Sequence, residues 1–198
     1  MTAPQDWPGG PPRVPRLLPA DLTSAQRELF ERITTGPRAG AVALTDVDGA
    51  LVGPFGLMLL APHAGGALEG VGAALRTDTE LTPRMRELAI LTTAAHRRCA
   101  FEWTSHTAPA LAAGLTREQL DELITGQVPH DLDDAERCAV LTTRSLLTDG
   151  SLDDNAYEHA AHVLGVTALA VLVWLVGYYA ALATALAVFR PIIGAVVR

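Results

Sequence analysis

The sequence predicts an all-α protein, and two kinds of observation indicate this. Helix-start patterns recur along the chain, each with a capping side chain three residues ahead of Gln or Glu. These capping pairs are Thr23 with Gln26, Thr116 with Gln119, and Asp133 with Glu136. Glycines at 114 and 126 stand where predicted helices end. We therefore expect helices joined by short loops around one core.

The elements follow in order along the chain. A first helix is predicted from the Thr23 cap to about residue 35, and residues 36–55, rich in Gly and Pro, predict a loop with a turn at 46–49. A short strand is possible there, but no hairpin partner is evident. Further helices are predicted over residues 62–75, 83–96, 99–113, 116–126, 133–147 and 151–162, with a long apolar helix from Gly165 to before Pro191.

Composition limits the functional classes. The 198 residues are 49% hydrophobic, which excludes disorder over most of the chain. The net charge is −7 and every basic residue is Arg, so nucleic acid is not an expected partner. The two cysteines, Cys99 and Cys138, are too few for a disulfide scaffold, which favours a cytoplasmic location.

The chain ends differ from the centre. Residues 1–20 are rich in Pro and carry no apolar signal region, so we expect an extended, largely unpacked N-terminal arm. Residues 21–198 are expected to form a single helical domain. No charged residue lies between 163 and 189, a stretch long enough to cross a bilayer. A helix buried within a helical domain or oligomer has the same composition, so two explanations remain from composition alone.

The candidate chemistry lies in the two central helices. Cys99, Glu102 and His106 fall within about a 60° arc of one helix face. Glu102 and His106 are one turn apart, so the carboxylate can orient the imidazole for proton transfer. Arg97, Arg98 and the helix dipole would favour a thiolate at Cys99. A Glu/His pair of this spacing is also common on solvated helix surfaces, and a lone Cys is usually a buried packing residue.

Glu87 can join this group only if the chain folds back. On one unbroken helix Glu87 would lie about 18 Å from Cys99 and on another face. A break near residues 96–98 is therefore required.

The segment RELAIL, the EWxxH block around Glu102 and the following AGL resemble the carboxymuconolactone decarboxylase family, which includes the alkylhydroperoxidase D-like proteins. The resemblance runs from residue 53 to residue 179, roughly two thirds of the chain. It implies a soluble, oligomeric, alkylhydroperoxidase D-like helical bundle whose long apolar C-terminal helix is buried, often at subunit contacts. A membrane is therefore not an expected partner.

The resemblance also implies site residues. In the peroxidase branch, a Glu precedes a CxxC motif whose second Cys is followed four residues later by His. Glu87, Cys99 and His106 match in spacing, but Glu102 occupies the position of the second Cys. A dithiol is needed to close a disulfide after peroxide attack, so this departure favours the decarboxylase branch.

The leading hypothesis is a cofactor-independent lyase-type enzyme with catalytic His106, Glu102, Glu87 and Cys99. It would decarboxylate or isomerise a small carbonyl- or lactone-bearing acid, whose identity the sequence does not name. One alternative is a thiol-dependent peroxidase using Cys99, resolved by an external thiol. A second alternative is a non-catalytic helical oligomer subunit.

The resemblance suggests a substrate pocket lined by Phe55, Trp103, Tyr178 and His63, although packing explains the aromatic residues equally well. His159 and His162 do not match a di-iron pattern, so no metal is expected, nor any cofactor. The expected partners are a small-molecule substrate and further copies of the chain, as a dimer, trimer or hexamer.

Overall fold

The chain is described here by a computed structural model, which covers residues 3–4, 6–36 and 44–191. The protein is 67% helical, with nine α-helices and no β-strand within those residues, so the predicted all-α class is confirmed. Parts of the predicted N-terminal arm (1, 2 and 5) and of the predicted loop (37–43) lie outside the described residues.

The helices follow the predicted order closely. Their bounds are α1 Ser24–Thr35, α2 Pro54–Met58, α3 Pro62–Thr77, α4 Pro83–His96, α5 Ala100–Ala112, α6 Arg117–Ile124, α7 Asp134–Thr148, α8 Asp154–Leu164 and α9 Val166–Phe189.

The capping boxes predicted for α1, α6 and α7 are all present. At α7, Asp133 Oδ1 accepts from the amide of Glu136 at 2.8 Å, and Glu136 Oε2 accepts in return from the amide of Asp133 at 3.4 Å. Two otherwise unpaired amide groups are satisfied at each of these helix starts. The sequence signals for helix starts therefore act locally, as expected.

Two short elements were not predicted: the 3₁₀ turn Pro19–Asp21 and helix α2. Helix α2 has Pro54 at its first turn and buries Leu57 and Met58. With only five residues it is too short to show a helical repeat of apolar positions, which is why the sequence pattern missed it.

The chain divides into two compact units. The first contains Met1–Pro8 and Leu75–Ala183. Within it, α4 packs against α5, α6 and α7. The core of this unit is a cluster of buried side chains: Leu88, Leu91, Ala94, Trp103, Ala110, Leu115, Leu120, Leu123 and Val140.

Asp6 and Trp7 contact the rest of the first unit, although they lie in the segment expected to be a largely unpacked arm. The Trp7 ring meets the Trp103 ring edge to face, with centroids 6.1 Å apart, and Asp6 pairs with Arg98 at 2.9 Å. Burial of a large indole against apolar neighbours outweighs the extended preference of the Pro-rich sequence.

The second unit contains Gly9–Ala74 and Thr184–Arg198. The predicted turn at 46–49 is present: Asp46 Oδ1 accepts from the amides of Asp48 and Ala50, and Gly49 has a φ of 80°. A single antiparallel bridge joins Thr45 to Leu51 across this turn. The assignment of residues 21–198 to one domain stays a prediction.

Helix α9 is long and apolar enough to cross a membrane by length and composition alone, and half of its most apolar window is buried inside the protein. Burial of that extent is also found in core helices of proteins outside membranes.

Candidate active site

Helix α4 carries Glu87. Thr82 caps the helix by accepting from the amide of Met85 at 3.1 Å, and Pro83 occupies the first turn, as the sequence predicts. Leu88 and Leu91 face the core and are fully buried, while the Glu87 side chain is 12% exposed. The helix start therefore fixes the register that directs Glu87 away from the apolar cluster.

The chain folds back between α4 and α5. The sequence analysis requires this reversal if Glu87 is to lie close to Glu102 and His106. Arg98 has a φ of +51°, and the amides of Arg98 and Cys99 donate to the carbonyls of Ala95 and Ala94. This is a Schellman arrangement, which usually has Gly at the left-handed position. Because Arg98 stands there instead, the helix end carried no glycine signal in the sequence.

His106 lies between two carboxylates. Its Nδ1 is 2.8 Å from Glu87 Oε2, and its Nε2 is 3.6 Å from Glu102 Oε2. The imidazole is 17% exposed, and the Glu102 side chain is 5% exposed. The structure therefore brings together the two acids and the histidine, and the imidazole does not project into bulk water.

Glu102 lies in the first turn of α5. A negative charge is favoured at that position because the backbone amides and the helix dipole point towards it. The i,i+4 spacing predicted from sequence places its carboxylate on the Nε2 side of the ring.

Tyr179 on α9 was not identified from the sequence. Its ring meets the His106 ring edge to face at 5.2 Å between centroids, and it meets Tyr178 in the same way at 5.2 Å. Tyr179 recurs at helical spacing with the buried residues Leu172 and Leu186. That face was hidden in the sequence, because nearly all of α9 is apolar and shows no periodicity.

Cys99 is the residue immediately before α5, but its environment differs from the expected one. Burial raises the pKa of Cys99 to about 11, and the charge of Glu102 adds to this, while the amides of Glu102 and Phe101 act in the opposite direction. Arg97 and Arg98 are exposed, so their charges are screened by solvent. The expectation of a stabilised thiolate is therefore wrong.

The residues suggested for a substrate pocket have different positions. Trp103 is fully buried in the core of the first unit, and Tyr178 is buried beside Tyr179. In the second unit, Phe55 is buried in α2, whereas His63 is exposed on α3. Trp103 thus has the packing role that the sequence left open, and membership of a pocket stays a prediction for all four.

His159 and His162 are exposed on α8. In the part of the chain that the structure describes, no group of three or more His, Cys, Asp or Glu side chains is placed to hold a metal ion.

A protein-family model matches part of the chain. The model of the carboxymuconolactone decarboxylase family matches residues 62–145, a shorter stretch than the resemblance noted over residues 53–179. No curated protein matches the chain. The matched residues include Glu87, Cys99, Glu102 and His106, but neither Tyr178 nor Tyr179. Residues 62–145 of this chain are therefore similar to the carboxymuconolactone decarboxylase family.

Proposed function

We propose that this protein is a cofactor-independent acid/base enzyme, which decarboxylates or isomerises a small carbonyl- or lactone-bearing acid by proton transfer through His106. The supporting observation is the position of His106 between Glu87 and Glu102, with most of its imidazole removed from water. Imidazole is suited to this task because its ordinary pKa lies near neutrality.

Glu87 sets the tautomer. At 2.8 Å its carboxylate accepts the proton on Nδ1, which leaves Nε2 as the atom that gains or loses the transferred proton. The same hydrogen bond holds the plane of the ring, so that Nε2 is presented in one direction. Glu87 is therefore a positioning residue in this proposal.

Glu102 stabilises the positive charge of protonated His106. Its carboxylate lies 3.6 Å from Nε2, so it stabilises the imidazolium that carries the proton. Glu102 is almost fully buried, and the interaction is therefore less screened than a surface pair. The proposal gives it the role of stabilising the acid form of His106.

The proposed chemical step moves one proton through Nε2 of His106. In decarboxylation, the bond between the substrate carbon and its carboxylate breaks, carbon dioxide leaves, and the electron pair passes into the adjacent carbonyl as an enolate. The imidazolium then donates its Nε2 proton to that carbon. In isomerisation, neutral Nε2 removes a proton from one carbon and returns it to another. Proton transfer of this kind contributes about 10²- to 10⁴-fold to the rate.

The environment of Cys99 favours this reaction over peroxide reduction. A thiol peroxidase requires a thiolate, and burial raises the pKa of Cys99 to about 11. Cys138 is also buried, and both cysteines are free. The small exposed fraction of His106 likewise supports a catalytic role over a non-catalytic subunit.

We also propose that the protein self-associates. Trp174 on α9 is 69% exposed and Val166 is 63% exposed, which is a large apolar area to leave in water. Light scattering should give a mass above that of one chain, and a monomer at micromolar concentration would contradict this.

The test of the reaction uses carboxymuconolactone and simple β-keto acids in heavy water. NMR then measures the loss of the carboxyl carbon and the deuterium gained at the adjacent carbon. His106→Gln keeps the size of the side chain and should lower the rate by at least about 10²-fold. His159→Gln, an exposed site on α8, is the matched control and should keep the wild-type rate. A wild-type rate in His106→Gln would remove His106 from the mechanism.

A further inference from the structure

A cavity of about 640 Å³ lies in the first unit, at the C-terminal end of α4 and beside α6 and α7. On α4 it is lined by Thr92, Ala95 and His96. Thr92 follows Glu87 by five residues, which places the two side chains about 140° apart around the helix. The cavity is therefore on a different face of α4 from the candidate active site. Its volume lies within the range of small-molecule sites.

Arg144 on α7 lines this cavity and is only partly exposed. It makes no hydrogen bond or ion pair with any of the described residues. Arg84, in contrast, pairs with Glu136 at 2.6 Å within the same unit. Burial lowers the pKa of Arg144, yet a guanidinium stays charged at neutral pH. A half-buried cation without an acceptor is costly, so it marks a position where an anion would be stabilised.

Thr92 supplies a second, independent observation. It is 4% exposed, and its hydroxyl is buried without a hydrogen-bond partner among the described residues. The helical threonines Thr93 and Thr143 instead donate at 2.8 Å to the carbonyl four residues earlier. Since a buried hydroxyl is normally satisfied, the unpaired hydroxyl of Thr92 is an unmet hydrogen bond in a residue that lines the cavity.

The charges around the cavity favour a monoanion. Arg98 is paired with Asp6 at 2.9 Å, so these two lining charges offset each other. Burial lowers the pKa of His96, and the charge of Arg97 lowers it further, which makes the imidazole neutral at pH 7. The positive charge of Arg144 is then left without a counter-charge among the described residues that line the cavity.

The remaining wall has an apolar part and a polar part. Trp7, Leu123 and Ile124 form the apolar part, while Thr125 and Thr148 are polar. A ligand that contacts the apolar part as well as Arg144 has an apolar body and one charged end, which is a poor match to a small inorganic ion.

We propose that this cavity binds a small organic carboxylate, with its carboxylate on Arg144 and Thr92 and its apolar body against Trp7 and Leu123. A guanidinium and a carboxylate match in charge and in planar, two-pronged geometry. The proposal is independent of the reaction assigned to His106.

The test titrates the full chain with phenylacetate, phenylacetamide and inorganic phosphate by isothermal calorimetry. Phenylacetate should bind, and the uncharged amide should bind at least about tenfold more weakly, because it lacks the charge that Arg144 recognises. Equal binding of the two compounds, binding of phosphate in place of phenylacetate, or no binding of phenylacetate at millimolar concentration would overturn the proposal.

Variants locate the site. Arg144→Gln should weaken phenylacetate binding about tenfold or more, while Arg97→Gln, an exposed arginine near the same helix end, should leave it unchanged. Thr92→Val keeps the volume and removes the hydroxyl, so it provides a second variant that should fold and bind more weakly. His106→Gln should retain binding. A loss confined to His106→Gln, or no loss in Arg144→Gln, would show that the ligand binds elsewhere.

Discussion

His106 Nδ1 lies 2.8 Å from Glu87 Oε2, although the two residues are nineteen positions apart and on different helices. The contact exists because the chain reverses at Arg98, whose φ of +51° ends α4 and directs the chain into α5. Glu102, which shares α5 with His106, then lies on the other side of the ring. The pairing of an acid from each helix with one imidazole is the basis of the proposed proton transfer.

Replacement of Glu87 by Gln should lower kcat about 10²-fold or more, because the amide no longer stabilises a charged imidazole and can bind either ring tautomer. Nitrogen-15 NMR of the His106 ring should show loss of the single Nδ1–H tautomer. Glu80→Gln, at an exposed position before α4, is the control. An unchanged ring spectrum in Glu87→Gln would contradict the positioning role.

Replacement of Glu102 by Cys should place a second thiol one helical turn from Cys99 and remove a charge that raises the pKa of Cys99. Hydrogen peroxide should then oxidise the two thiols to a disulfide, with release of two water molecules. Thiol titration and mass spectrometry would measure this. Glu118→Cys, on the exposed surface of α6, should form no such intramolecular bond. If Glu102→Cys also keeps both thiols reduced, the proximity of the two positions is contradicted.

Cys99 should react slowly with iodoacetamide near pH 8, because burial raises its pKa to about 11 and little thiolate is present. The measurement uses the Cys138→Ser background, so that one thiol is followed. The rate should keep rising towards pH 11. Complete labelling of the folded protein near neutral pH within the time needed for unfolded protein would contradict the buried thiol.

The same shift in pKa predicts a loss of stability in alkali. The thiol of Cys99 ionises near pH 9 in the unfolded chain, whereas in the folded protein it keeps its proton to about pH 11. The contribution of Cys99 to the free energy of unfolding is therefore complete below pH 9 and is lost between pH 9 and pH 11. The loss is on the order of 2 kcal/mol in the free energy of unfolding. In the Cys138→Ser background, urea unfolding at pH 8 and pH 11 should show it, and further replacement of Cys99 by Ser should remove it. An equal pH dependence with and without Cys99 would rule it out.

Trp7→Ala should lower the free energy of unfolding by about 1–3 kcal/mol, because it removes the edge-to-face contact with Trp103 and the apolar surface that Trp7 covers. Val47→Ala is the control, since Val47 in the turn at 46–49 is 71% exposed, and it should change the free energy by less than about 0.5 kcal/mol. Urea denaturation followed by circular dichroism measures both. Equal effects of the two substitutions would show that Trp7 adds nothing to the core.

Much of the helical framework follows from local sequence. The Thr23, Thr116 and Asp133 caps mark helix starts, because each side chain accepts a hydrogen bond from its own first turn. Gly114 and Gly126 have positive φ at helix ends for a similarly local reason. The boundary at Arg98 carried no such signal, since a non-glycine residue occupies the left-handed position there.

Some features of the candidate site follow from local sequence, and others depend on the packing of the helices. Helical periodicity alone predicts that Glu102 and His106 share a helix face. The contact of Glu87 with His106, the contact of Tyr179 with the same ring, and the burial that disfavours a thiolate at Cys99 all depend on how the helices pack. That packing also places Arg144 beside a cavity, with no hydrogen-bond or ion-pair partner in the part of the chain that the structure describes. Capping and periodicity act over one or two turns of chain, whereas distances between helices and the removal of water depend on how those helices pack.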